Sequence, residues 1–329
     1  MIRQSIAAVA ALLLLSACGA PSATDGVARA RVRNSGPFGL IAPDAVKTSG
    51  TSAFKGLDQV TIGSFIVGFG TYDTLTGKDG KFGSAARNTL VGIDDATLRR
   101  ITDDAYARFG QALRQAGYTV IDPAPLLTGA RFAGTKSYPN LYVDSSGGLF
   151  GDKSTVRYIA PSSVPAMKIF AGDVAGTMGG FGSDNPIYGA SDYVQSSGTK
   201  VVHAVYLLNF VNDARASGLR LTNAAKVGQG LTVAADATKI GVVSNSNGTV
   251  SLGHPITSDK EFATVTDATT SGNLAGQAAG NLVTSLLGGG AVQSRNFDFV
   301  ARPADYAAAA IDAMDQANAA LIGTMTRMK

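Results

Sequence analysis

From Gln59 to Val67 the chain reads Gln-Val-Thr-Ile-Gly-Ser-Phe-Ile-Val, β-branched and alternating, and this predicts a buried strand. A glycine-rich loop is expected from Gly68 to about Gly92, holding Tyr72, Thr76 to Gly80 and Phe82. The period then changes to that of a helix. Leu98, Ile101, Ala105, Phe109, Ala112, Leu113 and Ala116 fall on one face, with Asp94 or Asp95 placed to cap the start and Gly117 at the C′ position. Tyr118 to Asp122 follows at once as a second strand. Strand, loop, helix and strand make a βαβ-like unit, so the expected class is α/β rather than a sandwich.

Further on, Val164 to Ala171 predicts a short strand, and Lys200 to Val211 is the most apolar strand of the chain. Gly172 to Gly198 is an excursion rich in Gly, Ser and Asp. Between Leu219 and Asp259 a weak alternation, with a turn at Ser244 to Gly248 between Lys239–Val243 and Thr249–Leu252, predicts a long hairpin. Asn273 to Leu287 predicts a small-residue helix ended by Gly288, Gly289 and Gly290. Pro303 sits at a helix N1 position, followed by an apolar stripe through Tyr306, Ala310, Met314, Ala317, Leu321 and Met325.

The first residues follow a different logic. A basic start at Arg3 precedes an apolar run from Ile6 to Leu15, too short for a helix to cross ~30 Å of bilayer and matching a signal peptide over residues 1–17. Leu15-Ser-Ala-Cys18 then looks like a bacterial lipobox, and Cys18 is the only cysteine of the chain, so it is the expected lipidation site. Gly19 stands where an inner-membrane retention signal would place Asp, which points to the outer membrane with the domain in the periplasm. Residues 18–52 read as a lipidated tether rich in Ala, Ser, Gly, Thr and Pro, with basic Arg29, Arg31 and Arg33. The α/β domain is assigned to residues 53–329.

Composition narrows the function. With 45% apolar and 16% charged residues in 329, the chain has enough to bury a core and too little charge for disorder. A net charge of +4 without a basic run is no nucleic-acid footprint. One cysteine excludes an intrachain disulfide and a Cys-based zinc site.

The catalytic motifs the chain suggests are each incomplete. His203 lies within the long strand and reads as packed, and His254 lies in a Gly253-His-Pro255 turn. Gly189-Ala-Ser-Asp-Tyr193 has Tyr where a nucleophile elbow needs its second glycine. Around Thr76-Gly77-Lys78-Asp79 a phosphate loop lacks its first glycine and its hydroxyl residue, and Gly179 to Gly182 lacks the third glycine of a dinucleotide fingerprint. Asp94–Asp95 is cap chemistry, while Asp103–Asp104 and Asp312 with Asp315 read as solvated helix faces. No enzyme, cofactor or metal site is expected.

The order of elements resembles the CsgG-like family of outer-membrane lipoproteins, the curli secretion channel and its relatives in surface-polymer assembly. Four stretches carry the resemblance: Gln59 to Leu127, Ala166 to Gly176, Lys200 to Gly218, and Ala301 to Ile322. The resemblance implies a three-layer α/β domain with a strand-loop-helix-strand start and a closing helix. It also implies β-hairpin excursions at about 171–200 and 219–260, lent to a shared barrel by a homo-oligomer. The channel would be narrowed by the loop that holds Tyr72 and Phe82. The function so implied is an oligomeric export channel or anchoring ring for a secreted or surface fibre or adhesin. A barrel strand needs about nine to eleven residues with an apolar outward face, and Gly176 to Ser197 shows little of one. The alternative is a periplasmic lipoprotein scaffold without a pore that binds another envelope protein.

Overall fold

The computed structural model describes residues 45–79, 82–145, 153–174, 182–212, 228–270, 273, 277 and 292–329. Its strands are β1 (Val46–Ser49), β2 (Gln59–Asp79), β3 (Phe82–Val91), β4 (Thr119–Ile121), β5 (Leu141–Asp144), β6 (Ser154–Ile159), β7 (Lys200–Asn212), β8 (Gly228–Val233), β9 (Lys239–Val243), β10 (Asn247–Leu252), β11 (Ile256–Thr257), β12 (Ala263–Asp267) and β13 (Val292–Ala301). The α-helices are α1 (Asp95–Gln115), α2 (Ala124–Thr128), α3 (Ala130–Ala133), α4 (Pro186–Ser197) and α5 (Pro303–Arg327).

All thirteen strands join one open mixed sheet, whose main path is β1-β10-β9-β7-β2-β3-β13-β12. β2 and β7 run parallel at its centre, and β7 reads as continuous apolar sequence because both its faces are covered. Val202, Ala204, Tyr206, Leu208 and Phe210 pack beneath α1 and α5, whereas Val201 and Val205 pack in separate clusters on the opposite face. That second face is covered by α2, α3, α4 and the segment around Met167 to Val174. The outcome is three layers: a helix pair, a sheet, and a layer of short helices and coil.

One irregularity sets the phase of β2. Val60 and Ile62 face the helix pair, but so do Phe65, Val67 and Phe69, because the ladder with β7 shifts between Ile62 and Ser64. The extra residue is Gly63, where a Cβ would lie 2.6 Å from Val201 Cγ1, so only glycine fits the bulge. Downstream, α1 begins as its sequence requires: Asp94 is the N-cap and its Oδ1 accepts from the Thr97 amide at 2.8 Å. Gly117 closes it at φ +85°. β4 then returns parallel to β2, completing the expected unit.

Several expectations are corrected. Gly68 to Gly92 is a β-hairpin rather than a loop, with β2 and β3 paired antiparallel from Tyr72↔Thr89 to Asp79↔Phe82. The excursion at 171–200 contains no hairpin among its described residues; Pro186–Ser197 is a helix, started by Asn185 Oδ1 accepting from Ile187 N and ended by Gly198 at φ +72°. Those capping residues outweigh the small-residue composition. Val164 to Ala171 makes only one bridge, Tyr138 to Met167. In the 219–260 region the hairpin is short: Lys239–Val243 pairs with Asn247–Leu252 across the expected turn, and both strands lie inside the sheet. The helix expected at Asn273 to Leu287 lies outside the described residues except at Asn273 and Gln277.

Strand directions give the sheet two unlike ends. β5 and β12 run with β2 and β7, and β3, β6, β8 and β13 run against them. The strand pairs β2/β3, β5/β6, β7/β8 and β12/β13 therefore all open toward one end. β1 runs away from that end, so Val46 lies on the same side. α5 ends at the other, where Lys329 Nζ stands 2.7 Å from Asp58 and 3.2 Å from the Gly117 carbonyl.

Candidate functional site

Cys18 lies outside the described residues. Tyr72 is half-buried in β2, its hydroxyl accepting from Thr74 Oγ1 at 3.2 Å. Phe82 opens β3 opposite Asp79. Thr89, the partner of Tyr72, is seven residues along β3 from Phe82, or roughly 23 Å at about 3.3 Å per residue. Within one subunit the two residues expected to narrow a channel are thus far apart along the hairpin.

His203 is the most constrained of the tested catalytic residues. Its Nδ1 lies 2.8 Å from Asp173 Oδ2, and its ring stacks on Phe170 at 4.1 Å and 7°. The Asp173 side chain is 2% exposed and that of His203 12%. The outer nitrogen meets backbone: a Cβ on Gly241 would lie 2.0 Å from His203 Nε2. A base needs reach to a substrate proton, and here both ring edges are occupied, so the pair ties the Phe170 to Val174 segment to β7. His254 is exposed after β10, and Ser191 of the rejected elbow lies in the middle of α4. Thr76 to Asp79 is strand, so no phosphate loop forms.

Lys168 is a second buried charge, and composition gave no hint of it. Its Nζ donates to Ala133 O at 3.0 Å, Thr135 O at 2.7 Å and Ser137 Oγ at 2.9 Å, none of them a carboxylate. Burial holds its pKa below the ordinary lysine value. The ammonium thereby fixes the turn after α3. Lys168→Met keeps the stem and strands those acceptors, so urea unfolding is expected to show a loss of about 1–3 kcal/mol. An unchanged midpoint would mean that water serves the carbonyls equally well.

A concavity with charged groups runs between α1 and α5. It consists of two adjoining hollows, of about 360 and 460 Å³, that share Arg108 and Asp315. Ala112, Ala308 and Ile311 contribute apolar surface to it. Arg108 bridges Asp104 and Asp315 at 3.1 Å each, and Lys260 stands 3.9 Å from Asp312. Asp312 also accepts from Ser258 Oγ at 2.7 Å. Burial, together with Asp104 and Asp312, raises the Asp315 pKa against the opposing pull of Arg108. Of the acidic pairs read as solvated helix faces, Asp104 thus meets Asp312 and Asp315 across a helix–helix seam, whereas Asp103 accepts from Ser162 N and Oγ instead. Asp104 to Arg108 was legible as an i,i+4 pair, but its junction with Asp315 depends on how the helices pack.

Among the described residues no three His, Cys, Asp or Glu side chains gather as a metal site requires, and no helix is long and apolar enough to cross a membrane. No family model, curated protein or solved structure matches the chain.

Proposed function

We propose that the chain is a lipid-anchored, non-catalytic protein of the outer membrane, facing the periplasm, that serves as a scaffold for another envelope protein rather than as a pore. The observation that carries this reading is the fate of the two excursions. One holds α4, and the described strands of the other, β8 to β11, pair within the domain's own sheet. Ile240, Val242, Val250 and Leu252 are buried in the core, which leaves these strands without the apolar outward face that a membrane strand needs. The enclosure of His203 by Phe170, Asp173 and Gly241 agrees with a role without chemistry. The lipobox at Cys18 supplies the anchor, since several acyl chains at ~0.8 kcal/mol per CH₂ hold firmly.

The export channel or anchoring ring keeps one observation in its favour. β2 is 21 residues long, and it reaches with β3 toward the end where three other strand pairs also open. Light scattering of the detergent-extracted mature protein separates the two readings. A particle of one or two subunits that gives no conductance in planar bilayers is the expected result, and Cys18→Ala should leave its size unchanged while releasing it from membranes. A detergent-resistant ring of many subunits that conducts ions would overturn the scaffold in favour of the channel.

A further inference from the structure

The seam between α1 and α5 is a trough without a partner from the described chain, and its charge is unbalanced. Three carboxylates, Asp104, Asp312 and Asp315, face two cations, Arg108 and Lys260, and one guanidinium already serves two of the acids. The apolar surface between them is mostly alanine, too shallow for large side chains.

A segment of this chain has the complementary pattern. Ala28-Arg29-Ala30-Arg31-Val32-Arg33 alternates strictly, so an extended backbone would set three arginines on one side and small apolar residues on the other. Arginine matches the trough's carboxylates with its planar fork. The chain also arrives at the right place. β1 packs beside α5, and its first residue, Val46, lies at the end of the sheet where Lys260 and Asp312 lie. Residues 34–45 number twelve and span up to ~43 Å when extended. That is several times the ~10–12 Å diameter of the helix to be crossed.

We infer that the α1/α5 trough seats Val27 to Arg33 of the same chain, folding the N-terminal arm back onto the domain. If Cys18 carries the lipid, as the proposed function holds, only residues 19–26 would then separate anchor and domain, ~30 Å at full stretch. The arm would act as a short leash rather than a long tether.

The test uses the full-length chain with Cys18→Ser, which leaves only introduced thiols, and is therefore independent of lipidation. Ala30→Cys is combined either with Ala308→Cys in the trough or with Gln195→Cys on α4, across the sheet, and treated with a short bis-maleimide. Intrachain cross-linking is expected to be about tenfold greater at the trough than at α4. Asp104, Asp312 and Asp315 changed together to Asn should lower the trough yield about fivefold or more, with an unchanged circular-dichroism spectrum confirming that the domain folds. Equal yields at both positions, or a trough yield indifferent to the Asn changes, would overturn the inference. Products linking two chains instead of one would also overturn it and give the trough to a second copy.

Discussion

Phe65→Ala is expected to lower the unfolding free energy by about 3–5 kcal/mol, the cost of a large aromatic removed from a packed core. At about 2–4 °C per kcal/mol this is a fall in Tm of roughly 6–20 °C. The residue is 2% exposed, and its ring contacts three others, Tyr106 at 5.5 Å, Phe109 at 5.5 Å and Tyr206 at 5.4 Å. Two of those belong to α1 and one to β7, so the ring joins the helix layer to the centre of the sheet. Tyr206 in turn donates to Asn318 Oδ1 on α5 at 2.6 Å. Loss of the ring therefore loosens α1, β7 and α5 together. Phe65→Leu retains most of the volume and should cost much less. Chemical denaturation of both variants checks this, and a loss below about 1 kcal/mol for alanine would show that the Phe65 ring does not join the helix layer to the sheet.

The second large effect concerns the opposite layer. Gly241→Ala places a methyl 2.0 Å from His203 Nε2 and 2.3 Å from Cε1. A free ring would swing aside. This one is held by the Asp173 carboxylate and lies flat on Phe170, so either the pair breaks or β9 moves away from β7. Overpacking of this kind costs about 1–3 kcal/mol, and breaking the buried Asp173 contact adds to it. Removing the ring should relieve the clash. In a double-mutant cycle, Gly241→Ala with His203→Ala is expected to be less destabilising than the sum of the single changes, by at least about 1 kcal/mol. Strict additivity would mean that ring and glycine do not meet.

These two sites show what was and was not legible beforehand. α1 could be read residue by residue, because its cap at Asp94, its stripe from Leu98 to Leu113 and its stop at Gly117 are all local. α5 was legible for the same reason, with Pro303 at its first turn. β7 and the β9–β10 turn also followed from pattern. The glycine-rich stretch after Val67 did not, since Gly68 and Gly70 read as loop while their real service is close approach. A Cβ on Gly68 would stand 2.7 Å from the Tyr158 ring, where β6 crosses β2. Glycine there makes room for a neighbouring strand rather than for a turn. α4 was hidden by its Gly and Ser content, although Asn185, Pro186 and Gly198 are ordinary start and stop residues. Of the candidate sites, the packing of His203 was correctly anticipated, but Asp173 as its partner was not, because thirty residues and a helix separate them in sequence. The Lys168 cage and the α1/α5 trough depend wholly on tertiary register.

The position of Lys329 has a practical side. Its ammonium sits beside Asp58 and the end of α1, at the pole of the domain opposite the four strand-pair openings. A reporter or affinity handle fused beyond it therefore projects away from those strand-pair openings. Carriers attached to the C-terminus leave the hairpins unobstructed, whereas an insertion between β2 and β3 would stand among the four openings.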